Sequence, residues 1–224
     1  MNTEIFLYIQ DNLRRFYEKE GRDFPWRHTS DPYAVMIAEF MLQRTKAEQV
    51  VSVYKEFMKK YPDINSLSQA SLSEIREILY SLGLHWRAAH FLESARYIIN
   101  HFKGKFPTKR EELLKIPGVG DYVAGAILVV AYKKREYVVD SNIARFLNRF
   151  FGLQLSGEIR RNSVIKKLAK NLFCHQDPEK ILFSVLDFTA AICIPQKPQC
   201  KICFLKNKCK YYTFKEAAEK PASS

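Results

Sequence analysis

The chain has 224 residues, long for one hydrophobic core and ample for two compact lobes. Its 36 Lys and Arg against 24 Asp and Glu give a net charge of +12, an electrostatic footprint suited to a polyanion such as nucleic acid or an anionic membrane surface. No apolar run approaches the roughly 20 residues of a membrane span, and the N-terminus lacks the continuous apolar stretch of a secretory signal. A soluble, intracellular protein is therefore expected.

Apolar residues recur with the helical period along most of the chain and little reads as paired strands, so the expected fold class is all-α. Residues 3 to 19 are amphipathic (Ile5, Phe6, Ile9, Leu13, Phe16), and a turn-rich segment from Gly21 to Ser30 follows, with Pro25 inside it. Helical segments come next near 31 to 45, 46 to 60, 71 to 81, 87 to 102, 109 to 115, 121 to 132, 141 to 151, 158 to 173 and 178 to 192. Asp31-Pro32 reads as an N-cap with proline at the first helical position, and Gly83 and Gly152 stand where helices end. The small polar tail from Ala217 to Ser224 is expected to fray.

Within the helical segment from residue 31, Glu39 is an unusual carboxylate. Helical spacing puts Val35, Met36 and Leu42 on its face. Burial there costs free energy unless the group is paired or protonated, and desolvation raises a carboxyl pKa. The plain alternative is a pair with Arg or Lys from another helix.

Between two helical patterns lies Ile116-Pro117-Gly118-Val119-Gly120. Glycines at 118 and 120 permit torsions denied to other residues and let successive amides approach an anion at the start of the next helix. Helices on both sides argue against a dinucleotide-binding strand-turn-helix, which leaves an ordinary helix-turn-helix connection as the other reading. Further on, Asp140 in Val138-Val139-Asp140-Ser141-Asn142 reads as an N-cap. The positive end of a helix also favours its ionised form.

Four cysteines near the C-terminus, Cys193, Cys200, Cys203 and Cys209, have the spacing C-x6-C-x2-C-x5-C. Four thiolates in so short a loop make a metal site, and this donor set suits either zinc or an iron-sulfur cluster. Paired disulfides are the alternative, but the fifth cysteine, Cys174, and the missing secretory signal point to a reducing compartment.

The cysteine spacing is similar to that of the [4Fe-4S] loop of the endonuclease III family, and L-x-I-P-G-V-G resembles that family's helix-hairpin-helix. With Phe24-Pro25-Trp26-Arg27, the Glu39 helix, Leu42-Gln43-Arg44-Thr45, the V-D-x-N motif around Asp140 and Leu186-Asp187-Phe188, nearly the whole chain resembles the helix-hairpin-helix DNA glycosylase superfamily in order. Arg22 to Thr29 with Asp31-Pro32-Tyr33 look most like the mismatch-specific thymine glycosylases, and the MutY-type adenine glycosylases come next. Endonuclease III itself is less similar, because it carries a lysine that forms a Schiff base where this chain has Tyr122.

The resemblance implies two helical lobes with the active site in the cleft between them. Residues 28 to 132 would be a six-helix barrel containing the hairpin, and residues 1 to 27 with 133 to 224 a discontinuous lobe holding a [4Fe-4S] cluster on the four cysteines. It implies a monomeric, monofunctional enzyme that flips a mispaired base, thymine or uracil opposite guanine, out of double-stranded DNA and hydrolyses its N-glycosidic bond. Glu39 would be the general acid, Asp140 the carboxylate facing an oxocarbenium-like sugar, and Tyr122 a pocket residue whose phenol cannot form an imine. Gln43 would fill the vacated stack and Arg44 contact the orphaned guanine. Gly118, Gly120, Lys197 and Lys201 would hold backbone phosphates. Trp26, Trp86 and Tyr33 are stacking or packing residues. Gln43 departs from the more arginine-rich turn of the thymine enzymes. The chain stops 15 residues after Cys209, where MutY-type enzymes carry a further domain that reads 8-oxoguanine. Adenine release, an endonuclease III-like action on oxidised pyrimidines, a non-catalytic DNA-binding protein and an electron-transfer protein are the alternatives.

Overall fold

A computed structural model describes residues 3–219 of the chain, with side chains through residue 214. Every regular element among the described residues is helical. The chain divides into two compact units, one running through Arg22 and resuming at Arg135, the other Asp23–Lys134.

The unit Asp23–Lys134 contains α2 (Pro32–Leu42), α3 (Ala47–Lys60), α4 (Ile64–Ser68), α5 (Leu72–Leu79), α6 (Ala88–Phe102), α7 (Arg110–Leu113) and α8 (Asp121–Ala126), the last continuing as a π-helical turn over Ile127–Ala131. α2 starts as expected: Asp31 accepts a hydrogen bond from the Tyr33 amide and Pro32 follows it. Reciprocal capping boxes begin α4 (Asp63 with Ser66) and α5 (Ser71 with Glu74). The core is aromatic and aliphatic: Phe91 takes the edge of Phe40 at 5.2 Å and packs against Phe57 at 5.4 Å. Met36, Ile37, Met41 and Leu67 are fully enclosed. Such ring pairs add about 0.5–1.5 kcal/mol each beyond the area they bury.

The other unit joins α1 (Thr3–Glu20) to α9 (Ser141–Phe151), α10 (Ser163–Leu172), α11 (Pro178–Ala191) and α12 (Lys210–Glu219). α1 lies along α11, and α9 packs against α10, α11 and α12. Phe188 centres this core, with Phe146 edge-on at 5.4 Å and Phe204 at 5.0 Å. Two buried polar groups on α1 and α11 tie the distant segments together. The Gln10 side-chain amide donates to the Leu172 carbonyl at 2.9 Å, and Asp187, 2% exposed, accepts from the Arg22 amide at 2.9 Å and from Arg22 Nε at 2.7 Å.

Several elements differ from the sequence expectation. The segment 31 to 45 stops being helical at Leu42, because Gln43 is extended and Arg44 takes φ +64°. α4 was not expected; it is five residues long, less than two helical turns, too short to show a period. Segment 158 to 173 begins with a 3-10 turn, Ile159–Arg161, and becomes α-helical only at Ser163, behind the Asn162 cap. The frayed tail expected from Ala217 is helical to Glu219, and residues 220–224 lie outside the described residues. Trp26 and Tyr33 are core residues, whereas Trp86 is 59% exposed.

Arg22→Ala removes the side-chain partner of a buried carboxylate and leaves the backbone donor, so a loss of about 1–3 kcal/mol is expected. Urea unfolding followed by circular dichroism checks it.

Candidate active site and cysteine centre

Glu39 lies in the last turn of α2 between fully packed Ala38 and Phe40. Val35 and Met36 on its face are buried as expected, and Glu39 itself is half-buried, near the end of α2. α2 packs against α8, whose first turn carries the half-buried Tyr122.

The hairpin between α7 and α8 is held by Arg110, whose Nη1 donates to the Asp121 carbonyl at 3.0 Å and its carboxylate at 2.8 Å. Its two glycines differ. Gly118 has φ +78°, and a Cβ there would sit 3.1 Å from His90 Cβ and 3.1 Å from Phe40 Cζ. The turn is thus seated against the residue next to Glu39. Gly120 has φ −88° and ψ 179°, ordinary extended backbone, with nothing within 4 Å of a Cβ. The expectation that both glycines supply special torsions is corrected: only Gly118 does, and Gly120 leaves an open approach to the start of α8.

At the end of α2, Gln43 Oε1 accepts a close hydrogen bond from Arg87 Nη1. The Arg87 guanidinium stacks 4.5 Å over the Trp86 ring, and burial together with nearby Arg44 lowers its pKa from the ordinary value. Gln43 is thus held in place by a residue that gave no sequence signal, since the bond spans 44 positions. Arg44 is exposed.

In the other unit, Asp140 is the N-cap of α9, with its Oδ1 accepting from the Ile143 amide at 2.7 Å and its Oδ2 from Asn142 Nδ2 at 2.7 Å. Both carboxylate oxygens are thus engaged at the N-terminus of α9, where the backbone amides of the first turn point. Two arginines lie one turn apart further along α9. Arg145 donates to Asn142 Oδ1 at 2.9 Å and to the Cys193 carbonyl at 3.1 and 3.0 Å. Arg149 donates to the carbonyls of Ile194 and Pro195, both at 2.7 Å, and covers the Tyr211 ring at 5.1 Å.

The four cysteines line one pocket with Phe146, Phe150, Phe188 and Leu205 as its apolar wall. None of them forms a disulfide, and Cys174 is an exposed free thiol. Burial pushes the Cys203 thiol up to about 12, with the three neighbouring cysteines adding to the rise, and burial also raises Cys209. Thiolates in this pocket need a compensating cation. Among the described residues no three His, Cys, Asp or Glu side chains converge closely enough for one metal ion. Lys197, at φ +50°, and Lys201 are exposed on either side of Cys200, and Lys201 lends its carbonyl to Lys206 Nζ at 2.8 Å.

The family model described as the HhH-GPD superfamily base excision DNA repair protein matches residues 37–180. The chain belongs to this superfamily. It is 36% identical to a thymine/uracil-DNA glycosylase of Methanothermobacter thermautotrophicus over 88% of this chain and 90% of that protein. It is 32% identical to an adenine DNA glycosylase of Buchnera aphidicola subsp. Baizongia pistaciae over 95% of this chain and 60% of that protein. The solved structure of a thermostable thymine-DNA glycosylase superposes with a TM-score of 0.85 at 34% identity, covering 93% of this chain and 97% of that one. The all-α fold is that of this HhH-GPD relative, and no helix among the described residues is long and apolar enough to cross a membrane.

The contrast between the hairpin glycines gives an expected outcome. Gly118→Ala should lower stability by about 1–3 kcal/mol through its positive φ and contacts. Gly120→Ala should leave stability within about 0.5 kcal/mol of wild type and yet weaken duplex binding. Thermal melts beside binding titrations separate the two effects.

Proposed function

We propose that this chain is a monofunctional DNA N-glycosylase that releases thymine or uracil mispaired with guanine. The observation that carries the reading is similarity along nearly the whole of both chains to a thymine/uracil-DNA glycosylase. Asp140 supports it chemically: a carboxylate oriented by two hydrogen-bond donors at a helix N-terminus is suited to face the positive charge that develops on a deoxyribose as its base departs.

In this reading the mispaired base leaves the duplex stack at low cost, because its pairing is already weak. Glu39 donates a proton to the departing base while Asp140 remains an anion, and two carboxyls in unlike surroundings divide acid and electrostatic work. Tyr122 offers a phenol where a lysine would form an imine, so water completes the reaction and the backbone stays uncut. Gln43, pinned by Arg87, fills the gap left by the flipped nucleotide, and Arg44 contacts the guanine left behind. Gly118 and Gly120 bring backbone amides to a phosphate, and Lys197 and Lys201 neutralise others without reading sequence. The enzyme would act as a monomer.

The donor set and the pocket suit a [4Fe-4S] cluster held by Cys193, Cys200, Cys203 and Cys209. When bound, the cluster would cross-link the loop and offer one-electron redox chemistry. Anaerobically purified protein should contain about four irons per chain and no stoichiometric zinc by metal analysis.

A panel of duplexes carrying T:G, U:G, A:G, A:8-oxoguanine or thymine glycol, each with and without alkali, tests the substrate. Release from T:G and U:G with strand breakage only after alkali is expected. Release confined to the adenine pairs would instead favour the second reading, for which the 32% identity to an adenine DNA glycosylase speaks. Asp140→Asn and Glu39→Gln should each bind the T:G duplex while slowing base release by about 100-fold or more. Tyr122→Lys should gain strand cleavage that borohydride traps.

A further inference from the structure

We propose that Arg87 is a positioning residue for opposite-base specificity: by occupying the side-chain oxygen of Gln43 it leaves that glutamine only donors to offer the unpaired base, and so favours guanine there over adenine. This rests on the reading given above, in which Gln43 enters the gap left by the flipped nucleotide. A glutamine amide has an acceptor on one side and donors on the other, and when free it turns over to suit either partner. A guanidinium only donates, so the atom that meets Arg87 Nη1 is Gln43 Oε1. The Nε2 group is thereby turned away from Arg87. At the purine 6-position guanine carries a carbonyl oxygen and adenine an amino group. A fixed donor bonds the first and meets a second donor at the other, whereas an amide free to turn over accommodates both.

Both ends of this contact are held by their own segments. Gln43 and Arg44 are the central residues of a tight turn, which the Thr45 amide closes on the Leu42 carbonyl at 3.4 Å. Gln43 has φ −66° and ψ 109° and Arg44 has φ +64°, values that fit a type II turn, whose third position ordinarily takes glycine. Arg44 is exposed, so packing does not account for an arginine held in a left-handed conformation, whereas a role for its side chain at the unpaired base does. On the facing side, Gly83 at φ +67° and the buried Leu84 lead into a 3-10 turn, His85–Arg87, that packs against α5. The Arg87 amide closes that turn on the Leu84 carbonyl at 2.8 Å. Its guanidinium is half-buried and lies 4.5 Å over the Trp86 ring, which serves as a shelf for it. Arg44 is near enough to help depress the Arg87 pKa, and it brings donors alone. With the Gln43 oxygen occupied, neither central side chain of the turn presents an acceptor to an amino group.

The test measures dissociation constants of the intact protein for duplexes that carry a stable abasic analogue opposite guanine, hypoxanthine or adenine, so that the departing base plays no part. Wild type should bind the guanine and hypoxanthine duplexes equally, since both bases keep the 6-carbonyl, and the adenine duplex about tenfold more weakly. Arg87→Leu should bring all three within about twofold of one another, because the amide is then free to turn over. Arg87→Lys still donates to the Gln43 oxygen and should keep most of the preference. Gln43→Ala should lack the preference, and adding Arg87→Leu to it should change nothing further, since the arginine acts through the amide. Trp86→Ala alters only an exposed ring and should narrow the preference to about threefold by loosening Arg87. A full guanine preference in Arg87→Leu or, should that variant fail to fold, in Trp86→Ala would overturn the proposal and leave the guanine reading standing. So would a preference lost as completely in Arg87→Lys as in Arg87→Leu, or wild-type binding that favours guanine over hypoxanthine. Wild-type binding no tighter opposite guanine than opposite adenine would overturn the guanine reading itself, and the proposal with it.

Discussion

A carboxylate taken almost wholly out of water must be met by donors, and Asp187 meets that demand across 165 positions of chain. Its partners, the backbone amide and guanidinium of Arg22, stand just past the end of α1. This pairing ties the residue just past α1 to α11, at the point where the chain passes from one unit into the other. Because α1 runs along α11, the same contact sets the register of the two helices whose apolar faces enclose Ile9, Leu13 and Phe188. The walls of the cysteine pocket, Phe188 among them, inherit that register.

α9 shows how one local rule serves several levels of structure. A residue with a short oxygen-bearing side chain is needed before the first turn, and Asp140 satisfies it. The same position holds a negative charge at the positive end of a helix, which a neutral cap such as serine would not. The buried face of α9, with Ile143, Phe146, Leu147 and Phe150, is aliphatic and aromatic, while a second face carries Asn142, Arg145 and Arg149. A single helix thus presents packing on one side and directed hydrogen bonds on another, which makes it rigid where Asp140 stands.

Much of this was legible in the sequence, because helices with a long apolar face declare themselves by period and by their caps. Asp31, Asp140, Gly83 and Gly152 all mark helix ends in the structure, the two glycines with positive φ. What was not legible depends on contacts between residues far apart in sequence. Arg87 meets Gln43 across 44 positions and Arg145 meets Cys193 across 48, and no local pattern announces either arginine. Gly118 and Gly120 look alike in the string and differ in the fold, since φ is set by the path of the chain rather than by composition. Glu39 was read from its helical neighbours alone, and the exposure it retains comes from the helix ending three residues later.

The division of the chain has a consequence for synthesis. Residues 23 to 134 form a contiguous unit, whereas the other is split between the first 22 residues and everything from Arg135 onward. On a ribosome, the contiguous unit can close while α1 is still waiting for α11, more than 150 residues downstream. Until then α1 trails as an amphipathic segment with Ile9 and Leu13 uncovered, a surface for chaperones or for aggregation. The unit holding the cysteines is consequently the later of the two to close, and its cysteine loop follows α9 and α11, which bring Phe146, Phe150 and Phe188 to the pocket.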